Sequence, residues 1–361
     1  MRIDGLATRL FAALLLVTAS ACSADEAPLE TRFRGPTMGT AWTLVLPGRL
    51  DQAQADDRQT RIEQELLRLN ALFSTWDAES VLARFNASDS TAFVAMPAEL
   101  LDLLDEAHAI SRASDGAYDV TSGELLGLYG VGAQGAAGRT HAAENAVGNE
   151  AGDADPVRSL PNALAVQAAL SRTGPVQLVR LGDRLRKRDA RLRIDLSSIA
   201  KGYAVDRLGA LLEADGIDDY LVEIGGEVRT RGQAAGGRAW RVGIETPDGS
   251  VEAGLVLDDA HLASSGSYRQ WQELDGVRVS HVIDARTGRP LRHDLVAVTV
   301  LADSTAQADA WATALLVVGA ERARQLAPRH ALEVQLVQRV NDGFSTWRSP
   351  GFAALLDTAD E

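Results

Sequence analysis

Residues 295–301 (LVAVTVL), 304–319 (STAQADAWATALLVVG) and 332–337 (LEVQLV) read in order as strand, helix and strand. The two outer runs alternate apolar and polar residues as half-buried strands do. Between them Ala308, Trp311, Ala312, Leu315 and Leu316 follow the i, i+3, i+4, i+7, i+8 spacing of one apolar helix face. Ser304 and Gln307 form a capping-box pattern at its start, and Gly319 closes it. Outward from this unit the elements interleave without a regular period. Short strands are expected at 41–46, 176–181, 191–196, 220–224 and 238–244, with glycines at 225, 226, 232, 236 and 237 bending the later ones. Helices are expected at 58–73, with Ile62, Leu66, Leu69 and Phe73 on one face, and at 80–85, 100–114 and 161–171. Another begins near Ser198, with Val205, Leu208 and Leu212 buried. Such irregular alternation suits a mixed α/β domain better than a doubly wound parallel sheet.

The 361-residue chain is long enough for a substantial core, as one domain or two. Its 46% hydrophobic and 24% charged residues exclude disorder throughout. A net charge of −14 argues against nucleic acid as a partner, because phosphate backbones need a basic surface. An anionic ligand would then need a local cation or a bound metal. Arg2 and Arg9 precede an apolar run at 10–21 that is too short to span a bilayer, and the sole cysteine, Cys22, follows Ala19-Ser20-Ala21. The segment 1–21 resembles a lipoprotein signal with Cys22 as the lipidated residue; the alternative is ordinary cleavage after Ala21. Residues 22–34 then form a polar tether, and the domain runs over 35–350. Residues 131–155 are rich in Gly, Ala, Asn and acids without apolar period, and are expected to be a surface insertion.

Three stretches carry chemistry. Asp309 and Thr313 lie one turn apart on the 304–319 helix and offer hard oxygen ligands to Mg²⁺, although such a pair also occurs on ordinary exposed faces. Asp195-Leu-Ser-Ser198-Ile-Ala-Lys201-Gly202-Tyr leads into a helix start, where free N–H groups and a lysine attract phosphate; a capped helix with a surface lysine is the plainer alternative. Ser280-His281-Val-Ile283-Asp284 precedes a Thr287-Gly288 turn, so His281 reads equally as a general base or as a structural turn residue. Trp76 and Tyr118 are candidates to stack on a planar ring, Gly225-Gly226 permits close backbone approach, and residues 264–268 (SSGSY) offer hydroxyls in a tight turn.

In this order, Pro36–Thr40, Phe73–Trp76 with Ser80–Asn86, Tyr118–Thr121, Asp195–Asp206, Ile224–Gly226, Trp240–Ile244, Ser264–Tyr268, His281–Pro290 and Asp309–Thr313 resemble the signatures of the ApbE family, flavin transferases that move FMN from FAD onto a protein. The resemblance implies an α+β fold, a mixed domain with antiparallel-rich sheets. It implies that Met38, Trp76, Ala117, Tyr118, Asp119, Asp195, Lys201 and Ile283 line the FAD site. Ser198, Asp309 and Thr313 would hold magnesium, Ser198 through its backbone carbonyl, and His281 and Lys201 would assist the transfer. Glu124, Ala285 and Ala312 depart from common family residues; some members carry a second acid where Ala312 stands. The implied reaction is attack of an acceptor Ser or Thr hydroxyl on the FMN-side phosphorus, with AMP leaving. The implied partners are exported flavin-bearing subunits of membrane redox complexes, met at the periplasmic face of the inner membrane. FAD hydrolysis to FMN and AMP, or flavin binding without chemistry, are the competing readings.

Overall fold

The computed structural model describes residues 29–132, 159–268 and 271–356. The signal segment, Cys22 and most of the 131–155 insertion lie outside the described residues. Among the described residues the centre is an eight-stranded sheet, antiparallel throughout. Its spatial order is Glu30–Thr37, Thr40–Pro47, Tyr220–Ile224, Glu227–Arg231, Ala260–Gly266, Leu295–Ala302, Glu333–Val340 and Gly343–Arg348. The expected mixed fold with antiparallel-rich sheets is therefore what forms. The sheet also takes in residues 30–34, assigned above to the tether. Phe33 of that stretch is buried, so alternation in a short polar run had concealed an edge strand.

Two helices cover one face. Ala200–Ala214 packs on Tyr220–Ile224 and Glu227–Arg231, and Thr305–Val318 packs on Ala260–Gly266, on Leu295–Ala302 and on Ala200–Ala214. All five residues of the expected apolar stripe of Thr305–Val318 are buried, each large one contributing about 1.5–3 kcal/mol. The helix Gln52–Phe73 buries the four residues its spacing marked, Ile62, Leu66, Leu69 and Phe73. The opposite face carries a second, smaller core. There Val45, Val228 and Leu262 meet Trp240, Ile244, Leu255 and Leu257 of the hairpin Trp240–Glu245/Val251–Leu257, with Phe352 from the C-terminal helix Pro350–Ala353.

The strand expected at 191–196 does not form. The side chain of Asn86 takes the place of a neighbouring strand: its Oδ1 accepts from Ile194 N at 2.8 Å and its Nδ2 donates to Ile194 O at 2.7 Å. On the far side Asp195 N donates to Val120 O at 2.8 Å, and Gly123 N donates to Arg193 O at 3.1 Å. The segment buries Leu192, Ile194, Asp195 and Leu196, but its backbone groups are satisfied piecemeal rather than by a ladder.

Candidate active site

The strand register brings the expected pieces to one end of the sheet. Met38 and Gly39 form the two-residue turn between the first two strands, and both have positive φ, 48° and 74°. That geometry matches the twist of a hairpin but costs a non-glycine residue about 1–2 kcal/mol. Gly225 and Gly226 (φ 62° and 106°) make the equivalent turn between Tyr220–Ile224 and Glu227–Arg231. The two turns are adjacent, since a Cβ on Gly225 would lie 2.8 Å from Thr40 Cγ2. Asn70 Nδ2 reaches Thr37 Oγ1 at 3.3 Å, so the loop after Gln52–Phe73, with Trp76 58% exposed on it, leaves from this same end. Ser265 arrives on the strand Ala260–Gly266, its Oγ 3.1 Å from Thr313 Oγ1.

Lys201 and Asp309 meet here because their helices cross closely. A Cβ on Gly202 would come within 2.3 Å of Thr305 O, so only glycine permits the approach. In consequence Gly202 N donates to Asp309 Oδ2 at 3.2 Å, and Lys201 Nζ stands 3.6 Å from the same oxygen. The ammonium is nearer to Glu227, donating to Oε1 at 2.9 Å. The side chains of Glu227 and Asp309 are 1% and 3% exposed, that of Lys201 24%. Burial opposes charge on all three. For Lys201 the attraction of Asp309 and Glu227 outweighs burial and holds its pKa above the ordinary lysine range. For Glu227 and Asp309 burial prevails over the attraction of Lys201 and raises both pKa values; Asp309 adds like-charge repulsion at Glu227. Asp309 therefore does not stand on an ordinary exposed helix face; it is inside the helix packing.

Tyr118 stands beside this cluster. Its buried hydroxyl approaches the side chain of Ser198 without forming a hydrogen bond of ordinary geometry. Burial above all, then the charges of Asp309, Asp119 and Asp195, raises its pKa. Asp119 Oδ1 accepts from Thr121 N at 2.8 Å and from Thr121 Oγ1 at 2.6 Å. Burial, only partly offset by those two bonds, raises the Asp119 pKa. Asp195 Oδ1 accepts from the backbone N–H and the hydroxyl of Ser197, an Asx turn, and the helix begins at Ala200 rather than near Ser198. Ala117 is buried next to Gly116, whose Cβ would lie 3.7 Å from Arg286 Cγ. This contact brings the turn after His281 against the Ala117–Asp119 strip. Ile283 is buried with Leu125, Tyr129 and Ala169, and Tyr129 donates to Gly288 O at 2.9 Å. The structure thus joins Lys201, Asp309 and Tyr118 in one cluster, and sets the His281–Gly288 segment on the strip that carries Tyr118.

Glu227 escaped the sequence reading. Its strand alternates Glu227, Arg229 and Arg231 with Val228 and Thr230, which reads as a solvated face. That face is covered by the helix Ala200–Ala214, where Arg229 pairs with Glu213 and donates to Asp206 O at 3.1 Å. A charged residue directly after Gly-Gly, opposite a lysine-bearing helix, was the available signal.

The donor set suits a hard divalent cation: one buried carboxylate at Asp309, the Thr313 hydroxyl one turn on, and the carbonyl expected from Ser198. Among the described residues no three His, Cys, Asp or Glu side chains gather as a metal cage. The fold and this cluster define a mixed α/β protein with a partly buried lysine set between two buried carboxylates at one end of its main sheet. The sequence matches the ApbE family over residues 38–348, and the chain belongs to that family. It is 37% identical over 347 residues to a Salmonella typhimurium protein named FAD:protein FMN transferase, with 92% of this chain and 93% of that one covered. The solved flavin transferase ApbE from Vibrio cholerae matches with a TM-score of 0.78 and 35% identity over 91% of this chain and all of that one. The apo Pseudomonas stutzeri flavinyl transferase ApbE matches with the same TM-score, 36% identity, and 91% and 97% coverage.

Proposed function

We infer that this chain is an enzyme that transfers FMN from FAD to a Ser or Thr hydroxyl of an exported acceptor protein, with Mg²⁺ as cofactor. The observation that carries the reading is the Lys201 ammonium held by Glu227 beside buried Asp309, at the end of the sheet where the Met38 turn and Thr313 also lie. Asp309, Thr313 and the Ser198 carbonyl would hold the cation, which when bound neutralises diphosphate charge and favours attack at phosphorus. Lys201 binds the diphosphate as a second positive charge. Met38, Trp76, Ala117, Tyr118, Asp119, Asp195 and Ile283 shape the flavin and nucleotide site. His281 takes the proton of the acceptor hydroxyl. The hydroxyl oxygen bonds to the FMN-side phosphorus, the bond from that phosphorus to the bridging oxygen breaks, and AMP leaves with the electron pair. Acceptors are flavin-bearing subunits of membrane redox complexes, reached by an enzyme anchored through lipidated Cys22 at the periplasmic face of the inner membrane.

The test is incubation with FAD, Mg²⁺ and an acceptor domain carrying a Ser/Thr-Gly-Ala-Ser/Thr motif. Covalent in-gel flavin fluorescence on the acceptor is the expected result. Release of FMN and AMP irrespective of acceptor would make the chain a diphosphatase, and FAD recovered intact would reduce it to a binding protein. Globomycin sensitivity of the precursor checks the lipid anchor.

A further inference from the structure

Glu227 is buried, yet only one of its carboxylate oxygens is used. Oε1 accepts from Lys201, while Oε2 is enclosed without a hydrogen-bond partner among the described residues. A buried unsatisfied carboxylate oxygen costs about 1–3 kcal/mol or more, so its retention calls for a reason beyond packing. Its placement is rigid: Glu227 follows the Gly225-Gly226 turn and pairs with Ile224 across the hairpin. The ammonium of Lys201 therefore has a fixed anchor at 2.9 Å and a more distant second carboxylate, Asp309, at 3.6 Å. Without Glu227 the lysine's nearby buried counter-charge would be Asp309, and a full Lys201–Asp309 ion pair would occupy the carboxylate that the cation needs.

We propose that Glu227 is a positioning residue that holds the Lys201 ammonium off Asp309, leaving Asp309 open to the divalent cation while keeping the lysine beside the diphosphate. The proposal rests on the reading of Asp309 as a cation ligand. It differs from a simple field effect, in which Glu227 would attract the cation merely by its negative charge. The two differ in whether Lys201 is required.

Mn²⁺ binding to the full chain, followed by its EPR signal with FAD present and acceptor absent, separates them. Glu227→Gln should raise the Mn²⁺ dissociation constant at least about ten-fold, the equivalent of ~1.4 kcal/mol. In a Lys201→Met background the same substitution should shift it less than about two-fold, because no ammonium remains to be released onto Asp309. Glu227→Asp, which keeps the charge, should recover part of the affinity. An equal shift in both backgrounds, or none in the native background, overturns the proposal. Should Glu227→Gln fail to fold, Glu227→Asp in the two backgrounds makes the same comparison, with a smaller shift expected only where Lys201 is present. If Asp309→Ala binds Mn²⁺ as tightly as the native chain, the cation-site reading itself fails, and this proposal with it. If Asp309→Ala loses Mn²⁺ and Glu227→Gln does not, only the role of Glu227 is lost.

Discussion

The helices Ala200–Ala214 and Thr305–Val318 touch acids and bases at two places, and the two are used differently. Both carboxylate oxygens of Asp206 are taken. Its Oδ1 accepts from Thr305 N at 3.0 Å and contacts His261 Nδ1 at 3.1 Å, and its Oδ2 accepts from Ala306 N at 2.9 Å. Ser304 Oγ accepts from Gln307 N at 3.1 Å, which leaves that helix start little to offer an anion. Around Asp309, by contrast, a lysine is shared between two buried carboxylates, and one oxygen of Glu227 is left over. A cavity of about 430 Å³ opens beside the first place, lined by Glu106, Tyr203, Asp206, His261 and Gln307. The cavity thus opens beside the carboxylate whose oxygens are both taken. Both Asp206 oxygens serve to tie the helices together, whereas Glu227 keeps one oxygen without a partner among the described residues.

The sharpest way to break this contrast is Asp309→Ala. It should lower magnesium-dependent transfer at least about 100-fold, the order seen when a group that stabilises transition-state charge is removed. Full activity at low Mg²⁺ would show that Asp309 holds no cation. Lys201→Ala should weaken FAD binding by about ten-fold or more through loss of a charge-assisted contact. A dissociation constant unchanged in a flavin-fluorescence titration would put the lysine outside the diphosphate site.

The Asp206 place should respond in stability instead. Asp206→Asn should cost about 1–3 kcal/mol in urea unfolding, because hydrogen bonds to a charged cap are lost, while FAD affinity stays within about two-fold of native. An FAD affinity that fell as far as in Lys201→Ala would erase the distinction between the two places. The smallest effect is a pH dependence. Burial opposes the charge of Asp206, but His261 and the N–H groups of Ala306 and Thr305 outweigh it and hold the pKa below the ordinary carboxylate value. A carboxylate with a lowered folded pKa stabilises the fold above its unfolded pKa and loses that contribution as pH falls through the folded value. The stability gap between native protein and Asp206→Asn should therefore be full at neutral pH and narrow below about pH 4. A gap constant down to pH 2 would remove the charge from the account.

Much of the fold was legible because long apolar periods survive in any context. The helices Gln52–Phe73 and Thr305–Val318 bury the residues their spacing selected. The misreadings share one cause, partners distant in sequence. The 191–196 segment reads as a strand because charged and apolar residues alternate along it, but it is paired by the Asn86 side chain. Glu227 and Arg229 sit in a polar alternation that by itself gives no sign of burial, and a helix covers them. Asp309 could equally have stood on an exposed helix face, and the close approach at Gly202 encloses it.

The sequence by itself determined the long helices, several of the strands, the family resemblance and the identity of Lys201, Asp309, Thr313 and His281 as candidates. These follow from local periodicity and from residue types that keep their chemistry wherever they fall. Tertiary structure alone decided that Glu227 joins them, that Asp206 is spent on a helix cap, and that Lys201 sits nearer one carboxylate than the other. Burial and partner distance set the strength of a charge, and both arise only when remote strands and helices are packed against each other.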